Sequence, residues 1–228
     1  CGAGHLFFGS DPYAITGMVL EFSVPTAVVG LMWVTIYNGN NPLSLSLVVI
    51  DTILSPFLIP VTLRVLVGSQ VEIDATMMMR QLIFMVALPA IAAMVLNQVT
   101  HGAVKNTWPK KLALFSKFAL MFVVTSNSSK VAPYVRHMNL ERVAIGAAIL
   151  VLAAGSYALG WGVAGVLHQD KETTISMIYG TGMRNISTGA VIAGACFPGV
   201  VMYPVMIGTL FQQMLAALYG KALVSKLE

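Results

Sequence analysis

The sequence predicts an all-α membrane protein, a bundle of transmembrane helices in which two helices are discontinuous. Three observations predict this class. The 228 residues are 57% hydrophobic and 10% charged, with a mean hydropathy of +0.81, whereas charged residues make up about 25% of a soluble domain. Apolar stretches of membrane length follow one another along the chain. Two of these stretches are interrupted by polar, helix-breaking runs.

The apolar stretches define the predicted helices, because a spanning helix needs about 20 mostly apolar residues. Stretches of this kind occur at 14–37, 43–67, 81–99, 112–128, 143–167, 173–196 and 199–223. Between the second and third, residues 69–80 carry Glu72, Asp74 and Arg80 and are predicted to form a connector or a short interfacial helix. Since no soluble linker occurs, residues 1–228 are predicted to form a single transmembrane domain.

Charge and cysteine usage exclude several classes of function. The net charge of +4 comes mostly from short loops between apolar stretches, which is typical of a topology signal and not of a nucleic-acid surface. Cys1 and Cys196 are too few for a disulfide framework, and no Cys/His spacing indicates a metal site. We therefore expect no metal, no cofactor, no nucleic acid and no obligate protein partner, and the lipid bilayer as the surroundings.

The lysines and arginines of the short loops predict the orientation in the membrane. Their distribution places the C-terminus in the cytoplasm and the start of the chain outside. The sequence thus predicts a multi-pass integral protein, with the cell (inner) membrane as its location.

The two interruptions lie at 21–26 and 180–189. The first contains Pro25, which is tolerated at a helix start, and the hydroxyls of Ser23 and Thr26 can cap the following half-helix. Hydrocarbon cannot satisfy unpaired backbone groups, so a broken helix at membrane depth needs partners from protein or a wet cavity. A matched pair of such breaks is typical of the substrate site of a secondary transporter.

Arg184 is the main candidate binding residue, because it lies near the middle of the second interrupted stretch. An arginine at that depth costs about 2.5–3.5 kcal/mol, so it should face protein or water and have a partner. Asn185, Ser187 and Thr188 add side-chain donors, and the half-helix beginning there points its positive end at the break. This set favours an anion. The alternative is a structural arginine paired with a carboxylate across the crossing.

Two intramembrane carboxylates are candidates for ion pairing or coupling. Glu21 lies one turn before the first break, and Asp51 lies midway through the second stretch. Either could pair with Arg184, bind a cation or carry a proton. Glu21 is favoured as the ion-pair partner because it borders a break, and a local hydrogen bond with Thr52 is the alternative for Asp51. Among other polar residues, at most one of the adjacent Gln212 and Gln213 can line a cavity.

The order of elements suggests an internal repeat. The first stretch is broken and is followed by a tight connection and a helix with Pro56 and Pro60. The sixth stretch is also broken and is followed by a tight connection and a helix with Pro204. Three further stretches precede the second pair and none precedes the first. The pattern therefore predicts that about three N-terminal helices are missing from this chain.

At this point the residues resemble a known family. The run Gly182-Met183-Arg184-Asn185 is similar to the broken ninth helix of the bile acid:sodium symporter family, and residues 25–60 resemble its broken fourth helix and its fifth helix. The resemblance covers the chain as helices four to ten of an inverted-repeat, ten-helix fold. It implies a core domain with two crossing broken helices, a panel domain that moves against it, and sodium-coupled uptake of organic anions.

The resemblance also implies sodium ligands, and several are replaced here. The family has a glutamate at Gly180, a Ser-Asn pair at Gly30-Leu31 and a hydroxyl at Val48, while the hydroxyl of Ser44 is present. Where the family has a glutamine near a second sodium, this chain has Arg184. Asn185 matches the family's asparagine that faces the substrate cavity. We infer that Arg184 replaces one bound Na⁺ and that coupling is lost, reduced or moved to H⁺ on Glu21 or Asp51.

Three classes of function compete at this level. The favoured hypothesis is a secondary active transporter that moves a small organic anion by alternating access. Thr26, Arg184, Asn185, Ser187 and Thr188 are its predicted substrate-binding residues. The alternative is a non-transporting membrane sensor or assembly protein with kinked helices. An enzyme is disfavoured, because no nucleophile–base pair and no metal cluster is found at membrane depth.

Overall fold

The computed structural model describes residues 11–68 and 71–227, and these residues are almost entirely helical. In chain order the helices are α1 (Pro12–Ser23), α2 (Val29–Ile36), α3 (Asn41–Leu66), α4 (Ala75–Leu82), α5 (Leu88–Val99), α6 (Ala103–Arg136), α7 (Leu140–Val166), α8 (Lys171–Gly182), α9 (Ile186–Cys196) and α10 (Met202–Leu227). A π-helical turn, Ile83–Ala87, joins α4 to α5, and a 3-10 turn, Gly199–Val201, precedes α10. The predicted all-α class is confirmed.

Each predicted apolar stretch corresponds to a helix or to a pair of half-helices. Among the described residues, four helical spans are long and apolar enough to cross a membrane: Asn41–Leu66, Ala75–Val99, Leu140–Val166 and Gly199–Leu223. The two interrupted stretches are the half-helix pairs α1/α2 and α8/α9, and the stretch at 112–128 lies inside the long α6.

The predicted connector at 69–80 is only partly correct. Asp74 caps the new helix by accepting a hydrogen bond from the backbone N of Met77 at 2.8 Å, so α4 begins at Ala75. It continues through the π turn, where the N–H of Leu88 bonds to the carbonyl of Ile83, into α5. The boundary predicted at residue 81 is wrong because polar residues of the cap and first turns concealed the start of a 75–99 span.

Side-chain caps determine where most of these helices begin. An Asp or Asn oxygen at the N-cap accepts a backbone N–H of the first turn, a group that has no partner within the helix. The caps of this kind are Asp11, Asn40, Asp74, Asn139, Asp170 and Asn185. By contrast, α2 begins after Val28, which provides no side-chain cap.

The core forms around α1, α7, α8 and α10. Most of α1 is buried, and the largest fully buried side chains include Tyr157 of α7 and Tyr179 of α8. In the part of the chain that the structure describes, α5 has no buried residue, and its outer face carries exposed apolar side chains. Apolar side chains that are directed outward are suited to contact with lipid. Because α5 contributes nothing to the core, the buried interior lies on the side of the bundle formed by α1, α7, α8 and α10.

Candidate functional site

The two helix interruptions meet inside the bundle. There the backbone forms an isolated antiparallel β-bridge between Thr26 and Arg184. Its flanking hydrogen bonds run from the N of Ala27 to the carbonyl of Met183 (2.9 Å) and from the N of Asn185 to the carbonyl of Pro25 (2.8 Å). Each interruption therefore supplies backbone partners that the other has lost, as breaks at membrane depth require.

Asp51 of α3 holds the first interruption in place. Its Oδ2 accepts hydrogen bonds from the backbone N of Thr26 at 2.7 Å and from the Thr26 hydroxyl at 2.8 Å. The same hydroxyl lies 3.1 Å from the carbonyl oxygen of Gly180 on the opposite half-helix. The alternative prediction, a local hydrogen bond between Asp51 and Thr52, is wrong because the carboxylate turns instead to the donors that the break leaves free.

Arg184 is held through its backbone, whereas its side chain is only partly engaged. The side-chain amide of Gln212 in α10 donates to the carbonyl of Arg184 at 3.0 Å. Among the described residues, the buried Nε of Arg184 has no hydrogen-bond partner. The guanidinium interacts electrostatically with both Asp51 and Glu21. The preference for Glu21 as the ion-pair partner of Arg184 stays a prediction.

Glu21 nonetheless belongs to the same site. It lies in the last turn of α1, is 4% exposed, and interacts electrostatically with Arg184. Its Oε2 is buried and has no hydrogen-bond partner in the ranges 11–68 and 71–227. The other carboxylate oxygen, Oε1, lies so close to Gly208 of α10 that a Cβ there would collide with it. Glycine at this position leaves the room that the carboxyl group occupies.

The other predicted binding residues are placed differently from one another. Asn185 caps α9, and its Oδ1 accepts from the backbone N of Thr188 at 3.3 Å. Thr188 is buried, whereas Ser187 is exposed. Ser44 of α3 is buried, and its hydroxyl has no hydrogen-bond partner among the residues that the structure describes. The structure thus brings together Thr26, Arg184, Glu21 and Asp51.

The second interruption is supported by two residues, Tyr157 and Gln212, that the sequence did not identify as part of the site. Tyr157 of α7 is fully buried, and its hydroxyl donates to the carbonyl of Gln212 at 3.0 Å and contacts the Sδ of Met183 at 2.9 Å. Gln212 is 9% exposed and faces the break. Its neighbour Gln213 accepts a hydrogen bond from the indole N–H of Trp33 at 2.8 Å. An amide side chain within an apolar helix could have indicated a residue of the site. The sequence alone could not show which of the two adjacent glutamines faces the break.

An aromatic cluster packs beside the crossing and links four helices. Trp33, Tyr37 and Tyr179 stack with ring centroids 6.1–6.2 Å apart. Tyr157 meets Tyr179 edge-on at 6.2 Å and stacks on Tyr219 at 5.0 Å. The cluster therefore connects α2 and α8 to α7 and α10, and it fixes the half-helices around the crossing.

The chemistry of this site is that of buried charge and hydrogen-bond donors. In the described ranges, no group of three or more His, Cys, Asp or Glu residues could hold a metal ion. The buried or half-buried groups are one guanidinium, two carboxyls, an amide and a hydroxyl around a backbone crossing. Such a set can bind and orient a charged solute.

Comparison with known proteins places the chain in a family. Residues 5–225 match the sequence model of the SBF-like CPA transporter family. A protein of Bacillus subtilis (strain 168), named "Uncharacterized protein YbaS", is 42% identical over 219 residues, which cover 96% of this chain and 72% of that protein. With its apolar spans and its paired helix interruptions, the chain is an integral membrane protein that belongs to the SBF-like CPA transporter family.

Proposed function

We propose that this protein is a secondary active transporter that moves a small organic anion across the membrane by alternating access. The observation that carries the proposal is Arg184, a cation at the crossing of two interrupted helices. Within the described part of the chain, the buried Nε of Arg184 has no hydrogen-bond partner. A buried donor that lacks a partner costs free energy. An acid group on a solute would supply that partner. We propose transport, and no catalysis, as the activity of this site.

The half-helix termini near Arg184 support an anionic substrate. Helix α2 begins after Val28 without a side-chain cap, only two residues beyond the bridge residue Thr26. Helix α9 begins two residues beyond Arg184 and has exposed Ser187 in its first turn. Helix N-termini carry partial positive charge and free N–H donors, which favour anions. Among the predicted residues, Arg184, Asn185 and Ser187 are the proposed contacts, whereas Thr26 and Thr188 act through the backbone of the breaks.

We further propose that sodium contributes little to this transport. A bound Na⁺ must replace its hydration shell with protein oxygens. At the positions where the resemblance implies side-chain oxygens, this chain has Gly180, Gly30, Leu31 and Val48. The carbonyl of Gly180 already lies near the Thr26 hydroxyl, and a Cβ at Gly30 would press on Met183. Arg184 would supply positive charge without an ion.

The proposed setting is the cell (inner) membrane, with the C-terminus in the cytoplasm and no obligate protein partner. The lysines and arginines of the loops support this orientation. The hydrophobic faces of α3 and α5 support direct contact with lipid.

The test is uptake of organic acids by proteoliposomes that contain the wild type, Arg184→Gln or Arg184→Lys, each in sodium and in potassium buffer. We expect Arg184→Gln to abolish uptake, because the fixed positive charge is lost. We expect Arg184→Lys to restore only part of it, because an ammonium lacks the planar donor fork of arginine. Arg80→Gln, a charge change at an exposed position of α4, is the matched control and should transport normally.

Two results would contradict this proposal in different ways. A steep sodium requirement in the wild type, with Arg184→Gln unaffected, would show that sodium and not Arg184 provides the charge. No uptake of any acid, together with no solvent access to cysteines introduced beside Arg184, would favour a non-transporting membrane sensor or assembly protein.

A further inference from the structure

Glu21 differs from the other carboxylate of the site in having no donor for its buried oxygen. Asp51 Oδ2 receives two hydrogen bonds from Thr26. Glu21 Oε2 receives none, although Glu21 is only 4% exposed. A buried charged group without hydrogen bonds is costly unless an opposite charge compensates it. The group that acts on Glu21 in this way is Arg184.

Arg184 shows the same incomplete pairing from its own side. Its Nε is buried without a hydrogen-bond partner, and it interacts electrostatically with both Asp51 and Glu21. Asp51 also accepts the hydrogen bonds of Thr26, so moving its carboxylate away from Arg184 would break the bonds that hold the first interruption. The carboxyl group of Glu21 does not hold an interruption in this way. It is therefore the carboxylate that can give up Arg184 without disturbing the crossing.

We propose that Glu21 is an internal counter-ion that competes with the acid group of the substrate for Arg184, and that Glu21 takes up one proton when the anion binds. This inference rests on the proposed function as a transporter of organic anions. In the empty site at alkaline pH the charges are those of Glu21, Asp51 and Arg184. In the loaded site Glu21 is a neutral carboxylic acid, and the anion carries the negative charge that Glu21 has lost.

Charge conservation is the physical reason for the exchange. Adding an anion to a buried site that keeps both carboxylates would bring like charges together in a medium of low dielectric constant. Uptake of one proton per anion leaves the net charge of the site unchanged. The bond that forms is O–H on Glu21, and the proton comes from the solvent on the side that loads the substrate. One anion and one proton then cross the membrane together.

The surroundings of Glu21 contain few other groups that titrate. Arg184 acts on it from the α8/α9 break, and Asp51 of α3 acts on Arg184 in turn. From α10 the neighbours along the same face are Gly208, which contacts the carboxyl group, and Gln212, which is bonded to the Arg184 backbone; neither titrates. A pH effect on anion binding is therefore assigned to Glu21.

The test measures how anion binding depends on pH in the wild type, Glu21→Gln and Glu21→Asp. The probes are saturated monocarboxylates from acetate to octanoate, and the readout is thermal stabilisation of the full chain. We expect wild-type affinity to rise as the pH falls from 9.5 to 5.5, since protonation removes the competing charge. At pH 9.5, Glu21→Gln should bind about tenfold more tightly or better, as expected for loss of a like charge near the bound acid, with no further gain in acid. Glu21→Asp keeps the charge and should keep the pH dependence.

A matched control and a second readout separate this role from a structural one. Glu72→Gln removes one negative charge at an exposed position and should behave as the wild type. In proteoliposomes, an imposed proton gradient should drive accumulation of the acid by the wild type and by Glu72→Gln. Glu21→Gln should bind the acid but not respond to the gradient.

The outcomes also separate the inference from the proposed function. Binding that is independent of pH in the wild type, or weaker in Glu21→Gln, would overturn the role of Glu21 and leave anion transport standing. If none of the acids stabilises the wild type, Glu21→Gln or Glu21→Asp, and none is taken up, the proposed function fails and the inference fails with it.

Discussion

The interruption between α1 and α2 and the interruption between α8 and α9 are held by different neighbours. The first is fixed from outside its own chain segment, through the carboxylate of Asp51 on α3. The second is fixed partly by itself, because Asn185 caps α9, and partly by Gln212 of α10. The first half-helix pair thus depends on a charged side chain, whereas the second depends on neutral hydrogen bonds.

This difference separates structural from functional charge at the site. The Oδ2 of Asp51 accepts the hydrogen bonds that hold Thr26. The carbonyl of Arg184 is held by Gln212, so the guanidinium is not needed to keep the second interruption in place. A side chain with a free buried donor, on a backbone that is held independently, is suited to binding.

The largest effect should come from removing the charged anchor of the first interruption. Asp51→Ala deletes the acceptor of two partly buried hydrogen bonds, which should cost about 2–4 kcal/mol and lower the unfolding midpoint by roughly 5 °C or more. Asp51→Asn keeps an acceptor oxygen and should lose less. The measurement is thermal unfolding of the purified protein, with Glu72→Ala as the control. If Asp51→Ala is as stable as the control, the first interruption is held by something else.

The second interruption can be tested with the adjacent glutamines. Gln212→Leu leaves the buried carbonyl of Arg184 without its donor and should cost about 1–2 kcal/mol. Gln213→Leu, the matched control one residue away, only removes a bond to the Trp33 indole at an exposed position, and about 0.5 kcal/mol is expected. Thermal unfolding ranks the two variants, and tryptophan fluorescence should change more in Gln213→Leu. Equal losses of stability would show that Gln212 has no special role.

The smallest effect concerns the outer end of the helix that carries the second interruption. Asp170 caps α8, and hydrogen bonding to Thr173 holds the pKa of this carboxyl below its ordinary value of 3.8. A depressed pKa in the folded state means that the cap stabilises the fold above the ordinary value and loses this contribution as the pH falls through the lowered value.

Unfolding midpoints of the wild type and Asp170→Asn, compared from pH 7 down to pH 3, test this. The slightly greater stability of the wild type near neutral pH should shrink in acid. A difference between the two proteins that grows as the pH falls would mean that the sign is wrong. The effect should be small, since Asp170 is exposed to solvent.

Sequence reasoning located both interruptions and Arg184, because helix-breaking residues within apolar stretches are a local signal. It did not find the bond between Asp51 and Thr26, since these residues are far apart in sequence and belong to different helices. Nor could it orient Gln212 and Gln213, because the choice depends on how α10 is rotated against the break. The start of α4 was missed for a local reason, because Asp74 and Arg80 made the beginning of a spanning helix resemble a connector or a short interfacial helix.

The backbone bridge between Thr26 and Arg184 also limits how the protein can change shape. Pulling the two interruptions apart would leave N–H and C=O groups bare in an apolar environment, at several kcal/mol for each group. The crossing should therefore persist in every conformation that the protein visits, with α1, α2, α8 and α9 displaced as one piece. Distances between labels on these four half-helices should stay constant, while distances from them to α5 and α6 are free to vary.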